Sequence, residues 1–237
     1  MPLIIRIDVD RPFGKKSVFH QALSRLASEL YSPKLKALNY LRDLEEILLL
    51  FNEKNIPAYV FFRRCSFPSL PIIRLMRAGN HVFGLHLENS RSLECFKAEM
   101  HNLEKHIDGK VKVFSKHGSG IHRYGLFHYA PYEPEKYQVW GRELGMKIFF
   151  GNLEDPTIKP YVFDLGLKVF PSAFWLEPHW RDAKRFTVEW LCEASFSRDI
   201  VLLLHPDNVT TDDRIMTKLL YLIDNCKFSL YFNSQIV

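Results

Sequence analysis

The stretch that decides the fold runs from Pro33 to Phe62, "PKLKALNYLRDLEEILLLFNEKNIPAYVFF". Leu35, Leu38, Leu41, Leu44, Leu48 and Phe51 recur at helical spacing, and "PAYVFF" then gives a short run of strand-forming residues. Upstream, "LIIRIDV" (Leu3 to Val9) reads as another strand. Strand, helix, strand is one βαβ unit, and such units stack side by side into parallel sheets.

Outward from that unit the alternation continues. "LPIIRLMRAG" reads as a helix stopped at Gly79, "HVFGLH" as a strand, "SLECFKAEMHNLEKHI" as a helix and "KVKVFSKHG" as a fourth strand opening into a loop. "EPEKYQVWGRELG" is a helix ending at Gly145, "KIFFGN" a strand, and "YVFDLGLKVFPSAFW" two short extended pieces around Gly166. "RDAKRFTVEWLCEAS" is a helix, "DIVLLLHPD" an apolar strand ending at His205, "DRIMTKLLYLIDNC" a helix and "KFSLYF" a final strand. Residues 115–132 have no periodicity, as expected of a functional loop. The pattern predicts one α/β domain over residues 1–237, a parallel sheet or barrel flanked by helices. The short strands between Gly151 and Pro178 are the one segment open to a second reading, as a hairpin beside it.

Composition narrows the function classes. With 47% hydrophobic and 25% charged residues the chain is ordinary globular material, and no apolar run approaches the roughly 18 residues of a membrane span. The start, "MPLIIRIDVDRP", lacks the basic, apolar and small-residue regions of a secretory signal, which implies a cytoplasmic protein. Cys65, Cys95, Cys192 and Cys226 form no C-x-x-C pair, so the expectation is free, mostly buried thiols. A formal charge of +5 without a basic block does not indicate nucleic-acid binding but leaves an anionic substrate open.

Polar residues gather where strands end. Asp8 and Asp10 close the first strand, His86 and Glu88 the third ("GLHLENS"), His117 the fourth and His205 the last buried one. In parallel α/β folds that end carries function, so two carboxylates and up to three imidazoles are expected to converge there. Such a set suits Zn²⁺ or a similar divalent ion. Taken singly each residue has an ordinary structural use, a turn cap for the aspartates or a satisfied core position for a histidine; the joint placement is what points to chemistry.

Those residues, in that order, resemble the polysaccharide deacetylase family, the NodB-like carbohydrate esterases. The resemblance spans nearly the whole chain and implies a distorted (β/α) barrel of about seven parallel strands. The family's first motif is an Asp pair, matched by "RIDVD", which implies Asp8 as general base and Asp10 as metal ligand. Its second is matched by "NHVFGLHLENS", with His81, Gly84 and His86 in place and Ser90 where a second ligand histidine is usual. A divergent branch with H-x-E and a later H-G-S-P looks closer to "HLE" and "KHGSG", which implies His117 as the replacement ligand. The ligand set is then Asp10, His86 and His117, with Glu88 as supporting carboxylate or rival third ligand.

The usual Arg-Pro-Pro motif is missing, leaving Lys116 or Arg123 to orient the base or meet substrate. "VLLLHPD" matches the closing Leu-x-His motif, implying His205 as general acid. Trp175, Glu177, His179 and Trp180 in "FWLEPHW" read either as substrate pocket or as aromatic packing. The implied reaction is metal-assisted hydrolysis of an N-acetyl group on a sugar, with Zn²⁺ or Co²⁺, Mn²⁺ or Ni²⁺ and an oxyanion site near the Gly118–Ser119 turn. The implied substrate is a nucleotide- or lipid-linked intermediate of bacterial O-antigen or other surface polysaccharide. The alternatives are another metal-dependent amidohydrolase and a non-catalytic sugar-binding descendant.

Overall fold

A computed structural model describes residues 2–32, 34–118, 120, 122–164 and 166–231. In chain order the elements are β1 (Leu3–Val9), α1 (Val18–Leu30), α2 (Arg42–Glu53), β2 (Tyr59–Phe62), α3 (Leu70–Ala78), β3 (Val82–Leu87), α4 (Leu93–Ile107), β4 (Val113–Lys116), α5 (Pro134–Glu143) and β5 (Ile148–Leu153). There follow β6 (Tyr161–Phe163), β7 (Leu167–Ser172), β8 (Phe174–Trp175), α6 (Val188–Ser195), β9 (Ile200–Leu204), α7 (Pro206–Val209) and α8 (Asp213–Asn225).

The strands form one curled sheet in the order β6-β7-β5-β4-β3-β2-β1-β9-β8. Among the described residues every pairing is parallel except β6 with β7, so the second reading of that segment, a hairpin, is the one the structure has. Registers such as Asp8 with Phe61, Phe61 with Gly84 and His86 with Ser115 fix which residues share a face. Leu3, Ile5, Ile7 and Val9 pack outward in the larger core that includes the helices. Ile4, Tyr59, Phe61, Val82, Phe150 and Leu203 fill a second core on the concave face. The curl is therefore packed with side chains at its base, and polar residues are confined to its rim. Gly84 is part of that fit, because a Cβ there would lie 2.5 Å from ring carbons of Phe61.

Among the described residues nine strands stand where about seven were expected, since the Gly151 to Pro178 region supplies three short ones. "KFSLYF" is not a strand: among the described residues it makes one isolated bridge, Leu3 with Phe228. The helix read from Pro33 starts only at Arg42, because Asn39 and Leu41 take left-handed φ values of 62° and 60°. Helix α1 carried no expectation, and α6 begins at Val188, where the Thr187 side chain accepts from Trp190 N–H. The expectation of free thiols also fails in part. Cys192 on α6 and Cys226 at the end of α8 form a disulfide with Cα atoms 5.8 Å apart, brought together by the packing of those helices, which their 34-residue separation conceals. Among the described residues no helix is long and apolar enough to cross a membrane.

Candidate active site

Alternation on β1 lifts every second residue onto the concave face, so Arg6, Asp8 and Asp10 follow Ile4 upward toward the rim. His86 rises on β3 beside Ser115 of β4, and His117 follows directly after β4. His205 leaves the end of β9, three strands from β3, with β2 and β1 between them.

Asp10, His86 and His117 converge. Asp10 Oδ1 lies 3.1 Å from His86 Nε2 and 3.1 Å from His117 Nδ1, and those two nitrogens are 3.2 Å apart. Ligand atoms about 2.0–2.1 Å from one ion stand about 3.0–3.4 Å from each other, so the triangle has the dimensions of a metal's ligand face. Proton placement agrees. His86 Nδ1 sits 2.7 Å from Ser115 Oγ, which leaves Nε2 its lone pair when Nδ1–H donates there. Asp10 Oδ1 is buried without a properly aligned hydrogen-bond donor. Burial opposes ionisation of Asp10, but His117 and His86 hold its carboxyl well below the ordinary range. Burial and the Arg63 guanidinium push His117 well below the ordinary imidazole range, against the pull of Asp10. An ionised carboxylate and a neutral imidazole are the forms that bind a metal. The three residues fit a divalent ion.

Two further groups flank the triangle, each with its own support. Asp8 Oδ2 is 3.5 Å from His86 Nε2, and both Asp8 oxygens are held by Arg6, at 2.9 Å from Nε and 2.6 Å from Nη2. Arg6 is anchored in turn on the Gly151 carbonyl at 2.7 Å and Asn152 Oδ1 at 2.9 Å. His205 Nε2 lies 3.6 Å from Asp10 Oδ2, while its Nδ1 is 2.9 Å from Glu177 Oε1. Burial alone would lower the His205 pKa, but the Glu177 carboxylate and the neighbouring aspartates push it up to about 10.

Several expected roles change. Neither Lys116 nor Arg123 meets Asp8: Lys116 is fully buried with Nζ on the His117 carbonyl and His128 Nε2, and Arg123 binds the carbonyls of Gly125 and Leu126. Burial pulls Lys116 down to about 7. The residue that holds Asp8 is Arg6. Glu88 lies outside the triangle, buried and paired with Arg63, whose Nη1 also donates to the Asp10 carbonyl at 3.2 Å. Glu177 lies on the loop after β8, but its side chain turns inward. It is fully buried, accepting from the His205 backbone N–H and, at 2.8 Å, from Asn208 Nδ2. Trp175 stands with its ring 5.8 Å from His205 and 5.8 Å from exposed Trp180, beside which lies exposed His179. At the expected oxyanion turn, Gly118 has φ +72° and Ser119 lies outside the described residues.

No family model matches the chain, and no curated protein matches it. Solved structures do. The chitin deacetylase from the fungal pathogen Colletotrichum lindemuthianum aligns with a TM-score of 0.52 and 13% identity, over 97% of this chain and 86% of that one. A CE4 family pseudoenzyme from Bacillus anthracis aligns with a TM-score of 0.50 and 13% identity, over 97% of this chain. The present chain spans 63% of that protein's length. At such identity the likeness concerns architecture: the curled sheet with its surrounding helices is the NodB-like polysaccharide deacetylase fold.

Proposed function

We propose that this protein is a metal-dependent deacetylase that hydrolyses an N-acetyl group on a sugar. The observation that carries the reading is the convergence of Asp10, His86 and His117, flanked on one side by the Arg6–Asp8 pair and on the other by the Glu177–His205 pair. Asp10, His86 and His117 would hold the ion, Zn²⁺ or Co²⁺, Mn²⁺ or Ni²⁺, which when bound lowers the pKa of water and polarises an acyl carbonyl. Asp8, fixed by Arg6, takes the water's proton as general base. His205 remains an imidazolium at neutral pH and donates its proton to the departing amine, which would otherwise leave poorly. Trp180, which is exposed, offers an apolar face on which a sugar ring can rest, backed by the buried Trp175 ring.

As in the sequence reading, the substrate is an acetylated sugar carried on a nucleotide or lipid, in bacterial O-antigen or other surface polysaccharide synthesis. The test is acetate release from a panel of N-acetylated free, nucleotide-linked and lipid-linked sugars with each of the four metals. Release that is abolished by chelation and restored by metal supports the reading. No release from a metal-loaded protein would overturn it in favour of a sugar-binding descendant, and hydrolysis only of non-sugar amides would favour a different amidohydrolase.

A further inference from the structure

Helix α1 leaves most of its large apolar residues uncovered. Its protein-facing side is Ser24 and Ala27, both buried, with half-buried Leu23 packed on the larger core, whereas Val18, Phe19, Leu26 and Leu30 are exposed. Val18, Ala22, Leu26 and Leu30 are spaced four apart and so line one face, with Phe19 beside them. Val18 is 83% exposed, Phe19 58% and Leu30 64%. The loop after β4 extends the face: Leu126 N–H donates to Glu29 Oε2 at 2.8 Å, Phe127 stacks on Tyr31, and both loop side chains are exposed. A contiguous apolar surface of this kind marks a contact site.

Its charge says what the contact is. Lys15, just before α1, has Asn208 as its hydrogen-bond partner, Arg123 in the loop binds only backbone carbonyls, and Arg25 on α1 is exposed. Among the described residues none of these three cations is in an ion pair. The acid on the same helix, Glu29, is engaged by the loop. An apolar face of Leu and Phe rimmed by unpaired cations fits the headgroup and acyl boundary of an anionic bilayer.

We propose that α1 and residues 124–127 form a surface that binds anionic lipid bilayers. Tyr124 links the two regions, since its ring stands 5.4 Å from that of His117, so the contact brings the mouth of the site to the bilayer.

The test is co-sedimentation of the full chain with vesicles of phosphatidylcholine alone or mixed with phosphatidylglycerol. Binding is expected to the mixed vesicles and to weaken with added salt. Combining Phe19→Ser with Leu26→Ser should weaken it by about tenfold or more, as should Lys15→Glu with Arg25→Glu. Val162→Ser, at an exposed position on edge strand β6, should leave it unchanged. Circular dichroism and thermal unfolding check that each variant is folded. Wild-type protein that stays in the supernatant, or binding indifferent to these substitutions, would overturn the proposal. Self-association lost on Phe19→Ser with Leu26→Ser, without vesicle binding, would also overturn it and assign the face to a second copy. No substrate is present, so the result is independent of acetate release.

Discussion

Arg6 and Asp8, two residues apart on one face of β1, meet through two contacts of 2.9 and 2.6 Å with both side chains buried. A guanidinium that grips both oxygens fixes the plane of the carboxylate as well as its position. Orientation is therefore built into the strand that leads directly to Asp10. Only the anchor on Gly151 and Asn152 comes from elsewhere.

Asp8→Asn should keep metal while lowering turnover by about two to four orders of magnitude, the usual worth of a positioned general base, and should also lower stability, because the buried Arg6 loses its counter-charge. Arg6→Met should likewise cost both. It leaves a carboxylate buried without its partner, so urea unfolding should show a loss of about 3–5 kcal/mol in addition to the loss of rate. Arg6→Lys restores charge without the two-pronged grip and should recover little activity. Activity near wild type in Arg6→Lys would remove the orienting role.

The ligand set separates two substitutions that sequence alone leaves as rivals. If Asp10, His86 and His117 hold the ion, His117→Ala removes one of three protein ligands and should lower bound metal substantially by elemental analysis. Glu88→Gln should leave metal content unchanged. Its cost should appear in stability instead, about 3–5 kcal/mol, because Arg63 then lies buried without its counter-charge. Metal loss in Glu88→Gln with retention in His117→Ala would reverse the assignment.

Much of this was legible because parallel sheets expose function at one end of their strands. Asp8, Asp10, His86, His117 and His205 each close a strand, and the fold brings them to one rim. Alternation would also have excluded Lys116. Ser115 on β4 and His117 directly after it face the concave side, so Lys116 between them points the other way. Arg6 shares the parity of Asp8 and Asp10 and could have been found by the same rule. Arg63 and Asn152 could not. Their partners are 25 and 146 residues distant, and no local pattern marks such contacts. The disulfide was hidden for the same reason.

The Cys192–Cys226 bridge should be countable. Under denaturing, non-reducing conditions two thiols should titrate, those of Cys65 and Cys95, and four after reduction. A bridge closing a loop of this length contributes about 3–4 kcal/mol in the chain-entropy picture, so Cys192→Ser should lower stability by that order. Four reactive thiols without reductant would show the pair open, the state expected in a reducing cytoplasm, whereas a bridge that persists is ordinary for an oxidising compartment.

The Glu177–His205 pair makes a pH prediction with a defined sign. Burial disfavours the imidazolium, yet Glu177 and the aspartates raise the His205 pKa from 6.5 to about 10. The folded state therefore holds this proton more tightly than the unfolded chain. The stabilisation is full below pH 6.5 and is lost as pH rises toward about 10. In Glu177→Gln most of that gain is absent, so the stability gap between wild type and variant should be largest at or below pH 6.5 and shrink through this window. Activity should report the same group. If His205 is the acid for the departing amine, the alkaline limb of kcat/KM should fall near pH 10 in the wild type and move down toward the ordinary imidazole range in Glu177→Gln. Glu177 touches His205 and not the Asp10, His86 and His117 triangle, so metal content should not change. Superimposable pH profiles for the two proteins would take the acid role away from His205.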